Sequence, residues 1–290
     1  MWPRRSPSLP ADDCYERLIP HISVPLSVEH ATSLWTEAAR CRVADAVRTH
    51  ASDVDTFICG SYSAKTYVAT ESWDVDIVVR FKDAHHGWDD PTRAVEDLHS
   101  WLSHAIEAEF EATARSVRIT STDAPAVDVL PCWRAPGRMA GLICPGPAAA
   151  RHIDPVGHRD LLAARNASLG AKSGFLNVIK LVKHLNQSWA GEYGAPPLTA
   201  FHIEALALTH CTRPFNLAEE VAEFLAAAAE LVWTPLPDPL GVAGPIVALD
   251  AGLASALLTE AARSAEAALM TCDVQTADDI LSSLFQPRAS

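Results

Sequence analysis

Residues 57–81 read FICGSYSAKTYVATESWDVDIVVRF, and this stretch decides which fold the chain can adopt. Residues 57–59 are a short apolar run, and residues 75–81 are β-branched and almost continuously apolar. Both patterns predict buried strands. Because alternate residues of a strand share one face, Asp74 and Asp76 are predicted to point to the same side of the sheet.

Two carboxylates on one face of a strand can share divalent metal ions. Attack of a hydroxyl on the α-phosphorus of a nucleoside triphosphate uses two such ions about 3.5–4 Å apart, and magnesium prefers oxygen ligands. Gly60 and Ser61 lie upstream, with twelve residues between Ser61 and Asp74. A small Gly-Ser turn leaves room for a triphosphate to approach the backbone. The combination predicts a nucleotidyl-transfer site.

A third acid occurs in the apolar run AVDVLP at 126–131. Asp128 interrupts this run, and burying an isolated charge there would be costly, so we expect a metal ion or a hydrogen-bonded partner beside it. Asp74, Asp76 and Asp128 are therefore the candidate catalytic and metal-binding residues. Two plainer interpretations stay open: the first two acids belong to a surface-facing strand edge, or Asp128 ends a strand and faces water.

Composition limits the kind of protein that carries this site. The chain has 290 residues, 49% of them hydrophobic and 20% charged, which is enough for a sizeable core in one large domain or two intimate lobes. A net charge of -13 disfavours extended nucleic-acid binding through a broad basic surface. Seven scattered cysteines without a CxxC pair predict a reduced, cytoplasmic protein. No signal peptide or membrane span is predicted.

The pattern along the chain predicts three parts: an N-terminal extension at 1–26, a catalytic core at 27–155 and a helical substrate-binding lobe at 156–290. In the core we expect a long helix capped by Ser27 and a second helix within 91–114. Further predicted core elements are strands at 117–120 and 126–130 and a long loop or short hairpin at 136–150.

Helical periodicity dominates the second half, with expected helices at 175–189, 199–211, 217–233, 251–270 and 275–285. The predicted fold class is thus α+β: a mixed-sheet α/β core followed by a C-terminal helical lobe, in a bilobal arrangement.

These residues together resemble the DNA polymerase beta-like nucleotidyltransferases. The resemblance is carried first by the segments 60–66, 74–77 and 127–131. The run VIKLVKH at 178–184 and the segment 196–206 are similar to parts of the 2′-5′-oligoadenylate synthetases. The end of the chain is similar to the closing helix of the bacterial cGAS/DncV-like nucleotidyltransferases (CD-NTases). The resemblance spans roughly residues 28–287 and favours this branch of the superfamily.

The resemblance implies roles for the residues of the core. Gly60 and Ser61 would hold the β- and γ-phosphates. The three acids Asp74, Asp76 and Asp128 would bind two Mg²⁺ ions, with Mn²⁺ as an alternative, and Asp128 would help activate the attacking hydroxyl.

The resemblance also implies roles in the second lobe. Lys180 and Lys183 lie three residues apart on a helix and would reach the triphosphate of the donor nucleotide; the alternative is a solvated helix face. Thr199 would lie near the base.

The implied function is Mg²⁺-dependent joining of ribonucleoside triphosphates, ATP with GTP, CTP and UTP as further candidates, into a cyclic or linear oligonucleotide messenger with release of pyrophosphate. The implied context is bacterial antiviral signalling, with a regulatory protein partner or a downstream effector and no membrane partner. Two alternatives stay open: transfer to a small-molecule, tRNA or protein acceptor, and a non-catalytic nucleotide-binding module.

Overall fold

The computed structural model describes residues 9–23, 26–68, 74–82, 90–120, 125–134, 141–146, 151–170, 174–212 and 216–285. The strands in these ranges are β1 (Val54–Cys59), β2 (Asp74–Phe81), β3 (Glu109–Ala112), β4 (Val117–Thr120), β5 (Ala126–Arg134), β6 (Leu142–Cys144) and β7 (Arg151–Ile153). The helices are α1 (Pro10–Ile22), α2 (Leu26–Arg48), α3 (Gly60–Ala64), α4 (Pro91–Ala105), α5 (Pro155–Ser168), α6 (Gly174–Tyr193), α7 (Ala200–His210), α8 (Leu217–Leu231), α9 (Ala251–Met270) and α10 (Val274–Phe285).

The described residues form two compact units. One takes residues 25–161 and 240–244, and the other takes 1–24, 162–239 and 245–290. We call them the sheet unit and the helical unit. None of the helices in the described ranges is long and apolar enough to cross a membrane.

The sheet unit is built on a mixed sheet whose strand order is β1-β2-β5-β4-β3, with β6 and β7 continuing from β5. Strands β2 and β5 are parallel, whereas β1 is antiparallel to β2 and β4 is antiparallel to β5. Alternation along β2 sends Val75, Ile77, Val79 and Phe81 into a core with apolar residues of α2 and α4. The opposite face of β2 is therefore the one that carries Asp74 and Asp76.

Strand β5 is longer than predicted, because it continues through Pro131 to Arg134. A proline cannot donate to a strand ladder, so the sequence predicts an end before it. On the edge of β5 that faces away from β2, pairing with β4 ends at Val129 and pairing with β6 begins at Trp133. Pro131, which has no backbone N–H, therefore lies between these two pairings.

Two other predicted elements in the first half differ from the structure. Helix α4 ends at Ala105, and the residues that follow form the edge strand β3 instead of a longer helix. The expected short turn near residue 12 is the full helix α1, which starts with Pro10 at its first turn. The described part of the segment 136–150, predicted as a long loop or short hairpin, contains β6, which pairs antiparallel with β7 just beyond the segment.

The helical unit contains α1 and helices α6 to α10. Helix α6 buries Val178, Ile179, Leu181, Val182 and Leu185. Helices α8 and α9 pack together over small side chains, which let two helix backbones approach closely. The N-terminal segment, predicted as a separate extension, is tied into this unit, because the carboxylate of Asp12 accepts from the backbone N–H of Ala218 at 3.0 Å, at the start of α8.

Candidate active site

The sheet brings the three predicted acids to one face. Asp76 is paired in register with Asp128 on the neighbouring parallel strand, and Asp74 lies two residues before Asp76. Strand β2 is flanked on both sides, by β1 and β5, so these acids are not on a sheet edge. Asp128 is 6% exposed and so does not face water. Both plainer interpretations of the acids are therefore wrong.

Gly60 lies against the carboxylate of Asp76. Strand β1 ends at Cys59, which is the register partner of Asp76, and the chain turns directly into the short helix α3. Gly60 has φ +65°, a region that glycine adopts without strain. A Cβ atom at this position would lie 1.8 Å from Oδ2 of Asp76. Ser61 follows as the second residue of α3, so the predicted Gly-Ser turn and the acids lie next to each other.

Substituting alanine for Gly60 is expected to disturb both stability and the site. The left-handed backbone alone costs about 1–2 kcal/mol, and relieving the overlap forces the Asp76 carboxylate out of place. We expect a loss of about 2–4 kcal/mol in the free energy of unfolding, measured by urea titration.

Gly241→Ala is the matched control for Gly60→Ala. Gly241 has the same φ of +65°, and nothing lies within 4 Å of its would-be Cβ. In Gly241→Ala we therefore expect the free energy of unfolding to fall by only about 1–2 kcal/mol, the cost of the left-handed backbone alone. Equal losses in the two variants would contradict the close approach to Asp76.

Arg118 joins the site from β4, and the sequence analysis missed it. Its Nη1 donates to Oδ2 of Asp74 and to Oδ2 of Asp128, at 3.2 Å in each case. Arg118 is the register partner of Asp128, which places its side chain on the acidic face. The only sign of it in the sequence is a basic residue inside the predicted short strand 117–120. That this residue lies opposite Asp128 is visible only from the strand register.

The carboxyl of Asp128 is buried and strongly perturbed. Its pKa is raised to about 6, mainly by burial and also by the charge of Asp74, while Arg118 opposes the shift. Its Oδ2 accepts from Arg118, whereas its buried Oδ1 has no hydrogen-bond partner. A buried acceptor without a partner is costly, and a bound cation would satisfy it.

The raised pKa of Asp128 predicts the pH dependence of stability. Between the ordinary value of 3.8 and about 6, the folded state binds more protons than the unfolded state. Stability from this group therefore falls as pH rises through that window, by about 3 kcal/mol in total. At pH 8, with a metal chelator present, Asp128→Asn should have a free energy of unfolding about 1–3 kcal/mol higher than the wild type. Near pH 4 this difference should disappear.

Urea titrations at both pH values check this prediction, with Asp55→Asn as the control. Asp55 is exposed and pairs with Arg80 at the far end of β1 and β2. Its substitution should change stability by less than about 1 kcal/mol. A destabilised Asp128→Asn at pH 8 would show that the Arg118 contact outweighs burial and repulsion.

The three acids are suitable ligands for a divalent cation, but their present arrangement fits one only in part. Carboxylate oxygens are the ligands that Mg²⁺ prefers, and the unpartnered Oδ1 of Asp128 is one such ligand in a buried position. However, no three His, Cys, Asp or Glu side chains in the described ranges are grouped closely enough to hold an ion as they stand. Arg118 lies between two of the carboxylates, so an ion would enter only after a local rearrangement.

The second lobe residues have local partners of their own. Lys183 is 5% exposed and donates to Oε1 of Glu204 on α7 at 2.6 Å, so it is not part of a solvated helix face. Lys180 is half-buried on the same helix. The hydroxyl of Thr199 accepts from the backbone N–H of His202 and thereby caps α7. These three residues lie in the helical unit, and the acids, Gly60 and Ser61 lie in the sheet unit.

Comparison with known proteins gives matches at the level of structure alone. No family model and no curated protein matches the chain. CdnG from Bradyrhizobium diazoefficiens, solved in complex with GTP, has 17% identity and a TM-score of 0.73, covering 95% of this chain and 98% of its own. CdnC from E. coli MS115-1, solved with ATP, has 14% identity and a TM-score of 0.77, with coverages of 94% and 97%. CdnC has also been solved in a complex with HORMA-deltaN.

A third match is DncV from Vibrio cholerae, described as a cyclic AMP-GMP synthase and a prokaryotic cGAS homolog. It has 11% identity and a TM-score of 0.70, covering 94% of each chain. At these identities the likeness establishes the fold. The chain has the fold of the CD-NTases, and the predicted α+β class is confirmed.

Proposed function

We propose that this chain, which has the CD-NTase fold, is a nucleotidyltransferase that uses Mg²⁺ to join ribonucleoside triphosphates into a cyclic or linear oligonucleotide messenger. The observation that carries the proposal is the acidic face of the sheet. Asp76 and Asp128 are in register on parallel strands, and Asp128 keeps a buried oxygen without a partner. Such a concentration of carboxylates is costly unless cations bind it.

Asp74, Asp76 and Asp128 would hold the metal ions. When bound, the ions lower the pKa of the attacking hydroxyl and neutralise the charge that develops on the pyrophosphate leaving group. The hydroxyl oxygen forms a bond to the α-phosphorus, the bond from that phosphorus to the pyrophosphate oxygen breaks, and the hydroxyl proton leaves. The carboxylate of Asp128 would help to accept this proton, since it lies beside the other two acids on the same face of the sheet.

Gly60 and Ser61 would position the triphosphate. The absence of a side chain at Gly60 lets the backbone run against the Asp76 carboxylate, so phosphates held by the turn would be next to the metal ligands. Lys180 and Lys183 on α6 would contact the donor triphosphate, and Thr199 would lie near the base. For Lys183 this role requires the ammonium to leave or share its contact with Glu204.

The substrate class is supported by the similar structures. CdnG was solved with GTP and CdnC with ATP, and DncV is described as a cyclic AMP-GMP synthase. We therefore propose ATP and GTP as the first substrates to test, with a role in antiviral signalling. The CdnC complex with HORMA-deltaN supports looking for a regulatory protein partner.

The testing experiment is incubation with the four labelled ribonucleoside triphosphates and Mg²⁺ or Mn²⁺, followed by phosphatase treatment and mass analysis. Phosphatase-resistant products of dinucleotide or trinucleotide mass are the expected result. One nucleotide attached to an added small molecule, tRNA or protein would favour the acceptor alternative. Nucleotide binding without turnover under all conditions, including candidate protein partners, would favour a non-catalytic binding module.

A further inference from the structure

The guanidinium of Arg118 lies between two proposed metal ligands. Nη1 is 3.2 Å from Oδ2 of Asp74 and 3.2 Å from Oδ2 of Asp128. The Asp128 side chain is 8% exposed and the Arg118 side chain 27%, so the contact is partly shielded from water. A single fixed positive charge thus bridges carboxylates from two strands.

We infer that Arg118 is a placeholder cation, meaning a side chain that neutralises Asp74 and Asp128 when no metal ion is bound and competes with the ion for them. The inference rests on the proposed function, because it takes these acids as the metal ligands. It adds a positioning residue on β4 that sets how tightly the site takes a divalent ion.

Arg118 neutralises negative charge that the strand register concentrates on one face of the sheet. The strand pairing places Asp74, Asp76 and Asp128 on one face, and the charge of Asp74 already disfavours ionisation of Asp128. With no cation nearby, like charges so close and so shielded would repel strongly. Arg118 therefore offsets part of this negative charge and holds the two carboxylates facing a common point.

The same geometry makes Arg118 a competitor of the ion. A magnesium ion sits about 2.1 Å from its ligand oxygens. An ion bound to Oδ2 of Asp74 or Asp128 would therefore lie no more than about 5.3 Å from Nη1 of Arg118, given the 3.2 Å contacts. Two positive charges at this distance repel. Oδ1 of Asp128 is buried and has no hydrogen-bond partner, so it is left for the ion once the guanidinium withdraws.

Mn²⁺ alone, without any nucleotide, tests the competition. The free ion is titrated by electron paramagnetic resonance under nitrogen at about pH 8, where Asp128 is ionised. Arg118→Gln should bind Mn²⁺ about tenfold more tightly than the wild type, because one competing charge is gone. Arg118→Lys, which restores the charge, should return the affinity towards the wild-type value.

Arg80→Gln is the matched control. Arg80 lies on β2, at the far end of the strand from Asp74 and Asp76, where it pairs with Asp55. The Arg80→Gln variant should bind Mn²⁺ with the same affinity as the wild type. If Arg118→Gln fails to fold, as judged by urea titration, Arg118→Met removes the same charge and keeps the aliphatic part of the side chain.

Unchanged or weaker Mn²⁺ binding in the charge-removing variants would overturn the inference, since a merely structural Arg118 predicts this. The outcome is separable from the proposed function. If the wild type never turns over nucleotides but Arg118→Gln still binds Mn²⁺ about tenfold more tightly than the wild type, the placeholder role stands and the proposed function fails. Full turnover together with an unchanged Mn²⁺ affinity overturns the role of Arg118 and leaves the nucleotidyltransferase in place.

Discussion

Replacing Asp76 with asparagine is expected to lower the rate of pyrophosphate release from a ribonucleoside triphosphate mixture by about a thousandfold or more. A lost metal ligand removes several kcal/mol of transition-state stabilisation, and each 1.4 kcal/mol is a factor of about ten in rate. Asp76 is the central acid of the site, because it is the register partner of Asp128 and contacts the Gly60 turn.

The fold of Asp76→Asn should remain intact, because the two side chains have almost the same shape and the substitution removes negative charge from a crowded face. A coupled pyrophosphate assay measures turnover, and circular dichroism with urea titration measures the fold. Asp55→Asn, on the same sheet at an exposed ion pair, should keep wild-type turnover. Equal turnover in Asp76→Asn and the wild type would refute the assignment of the site.

The second large effect concerns the buried ion pair of the helical unit. Lys183 and Glu204 join α6 to α7 at 2.6 Å, with side chains 6% and 8% exposed. Lys183→Met leaves the Glu204 carboxylate buried without this partner, which costs about 3–5 kcal/mol. Because the whole stability of a domain is only about 5–15 kcal/mol, much of the protein should unfold under mild denaturant.

The double variant Lys183→Met/Glu204→Leu is the informative control for this pair. With both charges removed, most of the lost stability should return, since an apolar pair of similar volume often replaces a buried ion pair without loss. Urea titrations of both single variants and the double variant give the coupling free energy. Additive losses would show that the pair does not act as a unit.

The same double variant tests the predicted nucleotide contact of Lys183. Its affinity for a non-hydrolysable ATP analogue is compared with those of the wild type and Lys180→Met. A matching loss of affinity in the double variant and in Lys180→Met supports a shared triphosphate site on α6. Unchanged affinity in the double variant would assign Lys183 to structure alone.

The sequence predicted the acids and the Gly-Ser turn because each leaves a local mark. Alternation around Asp76 gives the buried face of β2, and an acid inside the apolar run of β5 gives Asp128. The limits of α9 were predicted to the residue, since the pattern 251–270 is long and periodic.

What the sequence did not reveal depends on which strands become neighbours. Arg118 lies near Asp128 through the pairing of β4 with β5, and a single basic residue in a four-residue strand carries no mark of that pairing. Strand β3 was missed because most of its residues are exposed and it lacks an apolar alternation. The extension of β5 past Pro131 depends on where its partners change, which is again a property of the register.

We propose that Asp74, Asp76 and Asp128 hold the divalent ions for nucleotidyl transfer. The most direct measurement is anomalous X-ray scattering from crystals grown with Mn²⁺ and a non-hydrolysable ribonucleoside triphosphate. We expect anomalous peaks at the three carboxylates, triphosphate oxygens on the same ions beside Gly60, and Arg118 withdrawn from Asp74 and Asp128. A triphosphate bound with no anomalous peak at these carboxylates, and with Arg118 still bridging them, would contradict it.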